Sequence, residues 1–287
     1  MKPSNVLTVD LEDWFHVLDN QQTANAASWE KLPAMVESMT LRLLELFADH
    51  DLKATFFVLG YVARNHPELV AEIVAQGHEV GSHGDMHQLV FDQTPYEYEN
   101  DVVASLEAID RAAGRPTKLY RAPGFSINEK CLWAFEVLSK NGIEVDCSVF
   151  PSRRAHGGMS DFVHAAPCVL KLGLNQSLKE LPISTISILG KSVVYCGGGY
   201  FRLLPYWVID ACIRKNSYNM TYFHPRDFEP AQPNIPGLGM LRTFKSSVGL
   251  SGAENKLKRV LDSHKFITVG EMIESVDWNA APTVSFS

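Results

Sequence analysis

The sequence predicts an α/β protein built on parallel strands and closed in a barrel-like form. Three observations lead there. Short β-rich runs alternate with amphipathic helical stretches through the first half of the chain, the order that βαβ units produce. The run Ala54-Thr55-Phe56-Phe57-Val58-Leu59-Gly60 is almost continuously apolar, as a strand covered on both faces must be. The length of 287 residues lies near the about 250 typical of one α/β barrel.

The elements follow in order. Val6-Leu7-Thr8-Val9 is a short β-rich run that ends in an acidic cluster. Met35, Met39, Leu43, Leu46 and Phe47 recur at helical spacing, which predicts a helix over 33–50. After the apolar strand at 54–60, Pro67 opens a helix over 68–75 from a position where proline is favourable. A strand is expected at 78–82, a strongly amphipathic helix at 96–113, and a strand at 118–120 running into Arg121. A helix over 128–141 stops at Gly142 and leads to a strand at 144–146. From about 150 to 200 the chain turns rich in Gly, Pro and Ser with short β-like runs, which reads as an irregular β-rich insertion on one rim. A helix at 205–216, a strand at 220–224 and a helix at 251–263 complete what is expected to be one domain over 1–287. Residues 225–249, with four Pro and three Gly, read as a long loop of the kind more often functional than idle.

Composition narrows the class. The chain is 46% hydrophobic and 21% charged, ordinary for a globular enzyme. A net charge of −7 leaves no basic stripe to neutralise phosphates and argues against a nucleic-acid partner. No apolar run approaches the roughly 20 residues of a membrane span. The run from Val6 to Val9 is too short for a signal-peptide core. Five Cys without a CxxC pair suit reduced packing residues better than a disulfide framework. These features predict a cytoplasmic protein, at most peripheral to the inner membrane.

The chemistry is expected at strand ends, where parallel α/β folds place their sites. His83-Gly84-Asp85-Met86-His87 follows the strand at 78–82 and spaces two imidazoles four apart. On a helical turn such a pair shares a face and can grip one ion of the zinc type. Asp10, Glu12 and Asp13 follow the first strand; one carboxylate can complete a two-histidine, one-carboxylate site and another can act as general base. Arg121 at Tyr120-Arg121-Ala122-Pro123-Gly124-Phe125 is a cation at a neighbouring strand end, and Asp146 is an acid placed to pair with it. His224, directly after the strand at 220–224, is a candidate general acid because its unperturbed pKa lies near 6.5.

The ordered set of Asp10 with Glu12 and Asp13, His83-x3-His87, Arg121-Ala122-Pro123-Gly124, Asp146-Cys147-Ser148 and His224-Pro225 resembles the five motifs of polysaccharide deacetylases with a NodB-homology domain, carbohydrate esterase family four. The resemblance runs over about residues 5–270. Gly197-Gly198-Gly199-Tyr200-Phe201-Arg202-Leu203-Leu204-Pro205 and Phe244-Lys245-Ser246-Ser247-Val248-Gly249 resemble the branch found beside exopolysaccharide and cell-surface glycan clusters. It implies a deformed (β/α) barrel holding one divalent metal, most often zinc. By that likeness Asp10 is the base, His83 and His87 are ligands and His224 the acid. Arg121 holds Asp10, and Asp146 orients Arg121 or His224. The family's first motif usually has two adjacent Asp, whereas Leu11 follows Asp10 here. The third ligand is therefore Glu12 or Asp13: an extended chain favours Glu12 beside Asp10, and a turn at Leu11 favours Asp13. A backbone N–H near Gly124 or Phe125 is expected to face the oxyanion. Tyr200, Phe201, Trp207 and Phe125 are candidates for stacking on a sugar ring, with Trp207 expected in the core.

The function this implies is metal-dependent removal of an N-acetyl group from an amino sugar of a cell-surface glycan or its precursor, free, nucleotide-linked or lipid-linked. The alternatives are an amidohydrolase or deformylase on a non-sugar amide or cyclic imide, and a non-catalytic glycan-binding relative.

Overall fold

A computed structural model describes residues 4–152, 157–162, 164–173, 176–188 and 191–286; parts of the expected insertion thus lie outside the described residues. The strands are β1 (Ser4–Val6), β2 (Thr8–Leu11), β3 (Thr55–Val58), β4 (Glu79–Ser82), β5 (Leu119–Tyr120), β6 (Val145–Asp146), β7 (Cys168–Leu172), β8 (Gln176–Glu180), β9 (Ile186–Ile188), β10 (Lys191–Val193), β11 (Tyr218–Met220), β12 (Phe266–Ile267) and β13 (Thr283–Ser285). One sheet runs β13-β7-β8-β6-β5-β4-β3-β2, a second runs β11-β1-β12, and β9 and β10 form a separate hairpin. Every pairing from β2 to β6 is parallel, and β7 returns antiparallel on β8.

Leu7 joins the two sheets. Its N–H donates to Ile267 O and its carbonyl accepts from Thr55 N, both at 3.0 Å, so one edge of a single extended stretch serves β12 and then β3, opposite the edge that pairs with β11. Past β11 the chain stays beside β2: Phe223 N donates to Thr8 O (3.1 Å) and Asp10 N to Phe223 O (2.7 Å). On the opposite flank a hydroxyl makes the junction, Ser184 Oγ accepting from Met220 N at 2.7 Å. The result is an α/β fold with a parallel-rich sheet curled into a deformed barrel, the expected class.

Local sequence accounts for the elements. The four residues of β3 are all buried, as a strand sandwiched between layers requires. The helix Pro95–Ala113 begins with a capping box of Thr94 and Glu97, carries proline at its first position and ends at Gly114 with φ of 68°, so each terminus has a residue suited to it. The helix Val36–Asp49 buries Val36, Met39, Leu43, Leu46 and Phe47 on one face against the core around β2 and β3. Inside the barrel, Phe57, Phe125, Phe150, Met220 and Tyr222 form an apolar lining.

Several expectations are corrected. The segment expected as a long loop at 225–249 contains a 3-10 turn, Pro225–Phe228, and the helix Met240–Ser247. That helix buries none of its residues; its apolar residues Met240, Leu241 and Phe244 stay exposed. The 128–141 helix is shorter, Trp133–Lys140. Short helices at Gly60–Asn65, Gly198–Leu203 and Val269–Ser275, and the strands β12 and β13, were not expected. Trp207 is 71% exposed rather than in the core. The five Cys are all buried and unpaired. Among the described residues, no helix is long and apolar enough to cross a membrane.

His78, at the head of β4, is buried and its Nδ1 accepts from Ala54 N at 3.0 Å. Burial, with a smaller push from Lys53, lowers its pKa from 6.5 to about 4. The folded state thus binds fewer protons than the unfolded state between pH 6.5 and 4, and stability is present above that window and lost as pH falls through it. Urea unfolding at pH 7 and at pH 4.5 is expected to show a loss traceable to His78 of up to about 3 kcal/mol, at 1.36 kcal/mol per unit. The variant His78→Asn, which keeps an acceptor for Ala54 N–H, should have a correspondingly flatter pH dependence.

Candidate active site

The strand ends on one face of the barrel deliver Asp10, Glu12, His83 and His224 to the floor of a cleft of about 730 Å³, with Arg121 buried behind Asp10. Asp10 sits within β2, two residues before the chain leaves the sheet, and is 2% exposed. Arg121, directly after β5, is fully buried. Its Nη1 donates to Asp10 Oδ1 and to Thr8 Oγ1, each at 2.7 Å, its Nε donates to Cys147 O at 3.3 Å, and the guanidinium carbon lies 4.2 Å from the Phe57 ring centroid. A guanidinium can meet these partners at once because its donors form a fixed planar fork.

Beside this pair, Glu12, His83 and His87 converge. Glu12 Oε1 is 3.2 Å from His83 Nε2 and 3.1 Å from His87 Nε2, and the three donor atoms lie within 4.8 Å of one another in a buried group. The other ring nitrogen of His83, Nδ1, is 2.8 Å from the Arg121 carbonyl; donating there, it leaves Nε2 as the free lone pair, the arrangement in which ligating histidines are commonly held. Two imidazole nitrogens and one carboxylate oxygen are a donor set suited to zinc and similar ions, with positions left open for other ligands. Burial raises the Glu12 carboxyl, but the neighbouring His87, His224 and His83 outweigh it and hold the carboxyl well below the usual range.

The two histidines reach this geometry by a route the spacing did not predict. Residues 83–87 form an irregular turn after β4 instead of a helical turn, with Gly84 and His87 at φ of 74° and 53°. The left-handed conformation at Gly84 is tolerated because glycine has no Cβ. The turn is pinned from outside: Asp101 accepts from Asp85 N (2.8 Å) and Met86 N (3.1 Å), and Arg64 grips the Asp85 carboxylate at 2.5 and 3.0 Å.

Asp13 is not part of the cluster. Its carboxylate accepts from Met35 N (2.9 Å), Val36 N (3.1 Å) and Trp14 N (2.8 Å), capping the start of the Val36–Asp49 helix, where a negative charge is favourable. Of the two carboxylates the sequence left open, Glu12 is the one whose oxygen joins the histidines. Asp146 also differs from expectation. Neither Arg121 nor His224 hydrogen-bonds it; its oxygens accept from Ser148 Oγ (2.6 Å) and Ser148 N (3.0 Å), and it shares a hydrogen bond with buried Glu180. Ser148 Oγ in turn accepts from Ala122 N at 2.8 Å, so Asp146 braces the turn that follows Arg121.

The partner of His224 is Asp227, which the sequence reading missed. Asp227 Oδ2 lies 3.0 Å from His224 Nδ1 and accepts from His224 N at 2.9 Å. The signal was local: His224 and Asp227 bracket a turn as a capping pair three apart. His224 Nε2 then faces Glu12 Oε1 at 3.6 Å and Asp10 Oδ2 at 3.9 Å. Burial alone would depress the imidazole pKa, but Glu12, Asp227 and Asp10 together raise it to about 9. His16, also missed, lines the cleft with its ring 6.2 Å from that of His87. Gly124, Phe125 and Tyr200 line the cleft as well. The Phe125 N–H donates to Ala122 O at 3.0 Å, which leaves Gly124 as the candidate oxyanion donor of that pair. Tyr200 is half-exposed at the rim, whereas Phe201 is packed edge-on against Phe223 in the core.

Comparison with known proteins places these residues in context. Residues 21–145, which include His83, His87 and Arg121, match the polysaccharide deacetylase family, and residues 147–274, which include His224 and Asp227, match a domain of unknown function (DUF3473). A peptidoglycan-N-acetylglucosamine deacetylase of Bacillus cereus is 36% identical over 98 residues, 34% of this chain and 36% of that protein. A chitooligosaccharide deacetylase of a Bradyrhizobium species is 30% identical over 135 residues, 46% of this chain and 59% of that protein. The chain thus covers less than two thirds of the length of either. In fold, a crystal structure from Mycobacterium smegmatis, provisionally named a polysaccharide deacetylase, superposes with a TM-score of 0.69 at 18% identity over 100% of this chain and 94% of that one. Over residues 21–145 the chain is thus similar to the polysaccharide deacetylase family, and its fold as a whole is like that of the Mycobacterium smegmatis structure.

Proposed function

We propose that this protein is a metal-dependent hydrolase that removes the N-acetyl group from an amino sugar of a cell-surface glycan or its precursor and releases acetate. The observation that carries the reading is the convergence of Glu12, His83 and His87 beside an arginine-clamped aspartate and an aspartate-backed histidine at one cleft floor. The named activities of the Bacillus cereus and Bradyrhizobium relatives support the sugar substrate. A divalent ion of the zinc type, held by Glu12, His83 and His87, would supply Lewis acidity and make water acidic enough to lose a proton near neutral pH.

The chain's own residues do the rest. Asp10, fixed by Arg121, takes the proton from the attacking water. The Gly124 N–H faces the carbonyl oxygen as charge develops on it, the kind of donor whose loss costs roughly 3–4 kcal/mol. His224, oriented through Nδ1 by Asp227, gives a proton to the departing nitrogen. Acetate leaves with the oxygen of water, and the sugar keeps a free amine. Tyr200 at the rim supplies an aromatic face for a sugar ring. Five buried free thiols support a reducing, cytoplasmic setting, in which the substrate is a glycan precursor.

The decisive experiment measures metal content and acetate release together, with N-acetylglucosamine oligomers and peptidoglycan fragments as substrates. Wild type is expected to carry about one ion per chain and to release acetate; His83→Ala/His87→Ala should lose both. Bound metal without acetate release from any N-acetyl sugar would sink the sugar reading.

Glu12 and Asp13 separate cleanly. Loss of an outer-shell partner costs 10–100-fold in metal affinity, so Glu12→Ala is expected to weaken zinc binding by at least about a hundredfold in calorimetric titration. Asp13→Ala should bind zinc as wild type does and instead lose about 1–2 kcal/mol of stability as its helix cap disappears.

In the reaction, Asp10→Asn is expected to lower kcat by about a thousandfold with zinc still bound, since the lost proton acceptor acts only in the chemical step. Retention of full activity by Asp10→Asn would remove Asp10 from the mechanism.

A further inference from the structure

The cleft has a roof as well as a floor. The roof is the helix Met240–Ser247 with the short helix Gly198–Leu203, contributing Tyr200, Leu203, Leu241 and Phe244 to the lining. Its longer helix buries no residue of its own, so the apolar packing that normally fixes a helix is missing.

Two arginines stand in for that packing: Arg242, on the helix itself, donates to Leu18 O at 2.6 Å and Asp19 O at 2.8 Å, and Arg202 reaches the end of the helix from outside. Arg202, 6% exposed, sends Nη1 to Ser246 O at 2.6 Å and Nη2 to Lys245 O at 3.2 Å. Those carbonyls belong to the last turn of the roof helix, which has no internal partners for them and carries the negative end of the helix dipole. The third nitrogen, Nε, lies 3.3 Å from Asp227 Oδ1, while the other oxygen of Asp227 holds His224. The two glycine-bounded sequence stretches meet here for a steric reason. A side chain at Gly249 would put its Cβ 2.5 Å from Arg202 O, at a φ of 72° that disfavours any other residue, and one at Gly197 would strike the Tyr222 ring at 2.4 Å. Lys256 ties the same segment down, its Nζ donating to Phe201 O, Arg202 O and Leu204 O at 2.7–2.9 Å.

We propose that Arg202 is a positioning residue that joins the cleft roof to the catalytic histidine, fixing the Met240–Ser247 helix through its last carbonyls and Asp227 through its free oxygen. This rests on the deacetylase reading for the role of His224, and it gives a task to the region that matches a domain of unknown function, since Arg202, Asp227, His224 and the roof all lie within 147–274. A lysine keeps the charge but, as a single ammonium on a flexible stem, does not span two carbonyls and a carboxylate in one geometry.

The test uses the zinc-loaded full chain and compares wild type, Arg202→Ala, Arg202→Lys and Asp227→Asn. Hydrogen exchange read by mass spectrometry over 240–248 is expected to quicken at least about tenfold in Arg202→Ala, to quicken less in Arg202→Lys, and to stay as wild type in Asp227→Asn. The proton resonance of the His224 Nδ1–H bonded to Asp227 should broaden or shift in Arg202→Ala while bound zinc stays at the wild-type level. On an N-acetyl sugar substrate, Arg202→Ala should lower kcat as well as raise KM, and Arg202→Lys should recover part of the loss. Unchanged exchange over the roof, or a raised KM with kcat and the His224 resonance untouched, overturns the proposal. If wild type deacetylates nothing, the exchange and resonance measurements still decide the role of Arg202, and only the deacetylase reading falls.

Discussion

The buried guanidinium of Arg121 is the interaction on which the rest of the barrel depends. A charge taken fully out of water costs several kcal/mol unless partners surround it. Here they come from every side: Thr8 and Asp10 on β2, Phe57 on β3, the Cys147 carbonyl after β6, and the Met220 sulfur on β11, 3.1 Å from Nη2. Barrel closure and solvation of this one cation are therefore the same event. The main chain of Arg121 adds a second duty, its carbonyl fixing His83 Nδ1. A single residue sets the orientation of Asp10 by its side chain and of His83 by its backbone, so the two keep a constant separation.

Around that centre the site brings four carboxylates into a small volume without leaving any of them uncompensated. Asp10 has Arg121, Glu12 has His83 and His87, Asp227 has His224 and Arg202, and Asp13 has three backbone amides. Each acid answers to its own set of neighbours, which is why neighbouring acids can hold different roles. The environment decides which carboxylate is a brace and which faces the cleft, as the contrast between Glu12 and its neighbour Asp13 shows.

Much of this was legible in the sequence. Asp10, Glu12, His83, His87, Arg121 and His224 all follow short β runs, and a parallel sheet sends such residues to one rim, so their convergence followed from position along the chain. The class of fold followed from alternation, and β3 from its unbroken apolar run. What the sequence withheld depends on contacts made far away. The turn carrying His87 takes its shape from Asp101 and Arg64, which periodicity does not reveal. Asp146 finds Glu180 across the sheet, 34 positions on, and so does not reach for Arg121. Strand β12, two residues long, is too short to have a period at all. Asp227 was the avoidable omission, because a proline-started turn with an acid three residues after His224 is a local pattern.

The stretch from Ser4 to Leu11 lies in the middle of the molecule, between β11 on one side and β12 followed by β3 on the other. Its hydrogen-bond partners include residues such as Lys265, whose carbonyl accepts from the Asn5 side chain across 260 positions of chain. During synthesis these early residues emerge long before the strands that will flank them. Contacts of such wide separation pay a large loop-closure entropy and slow folding. A nascent chain must therefore hold an incomplete, one-sided sheet until its last quarter arrives, with the apolar edge at Val6 and Leu7 in need of shelter from other chains.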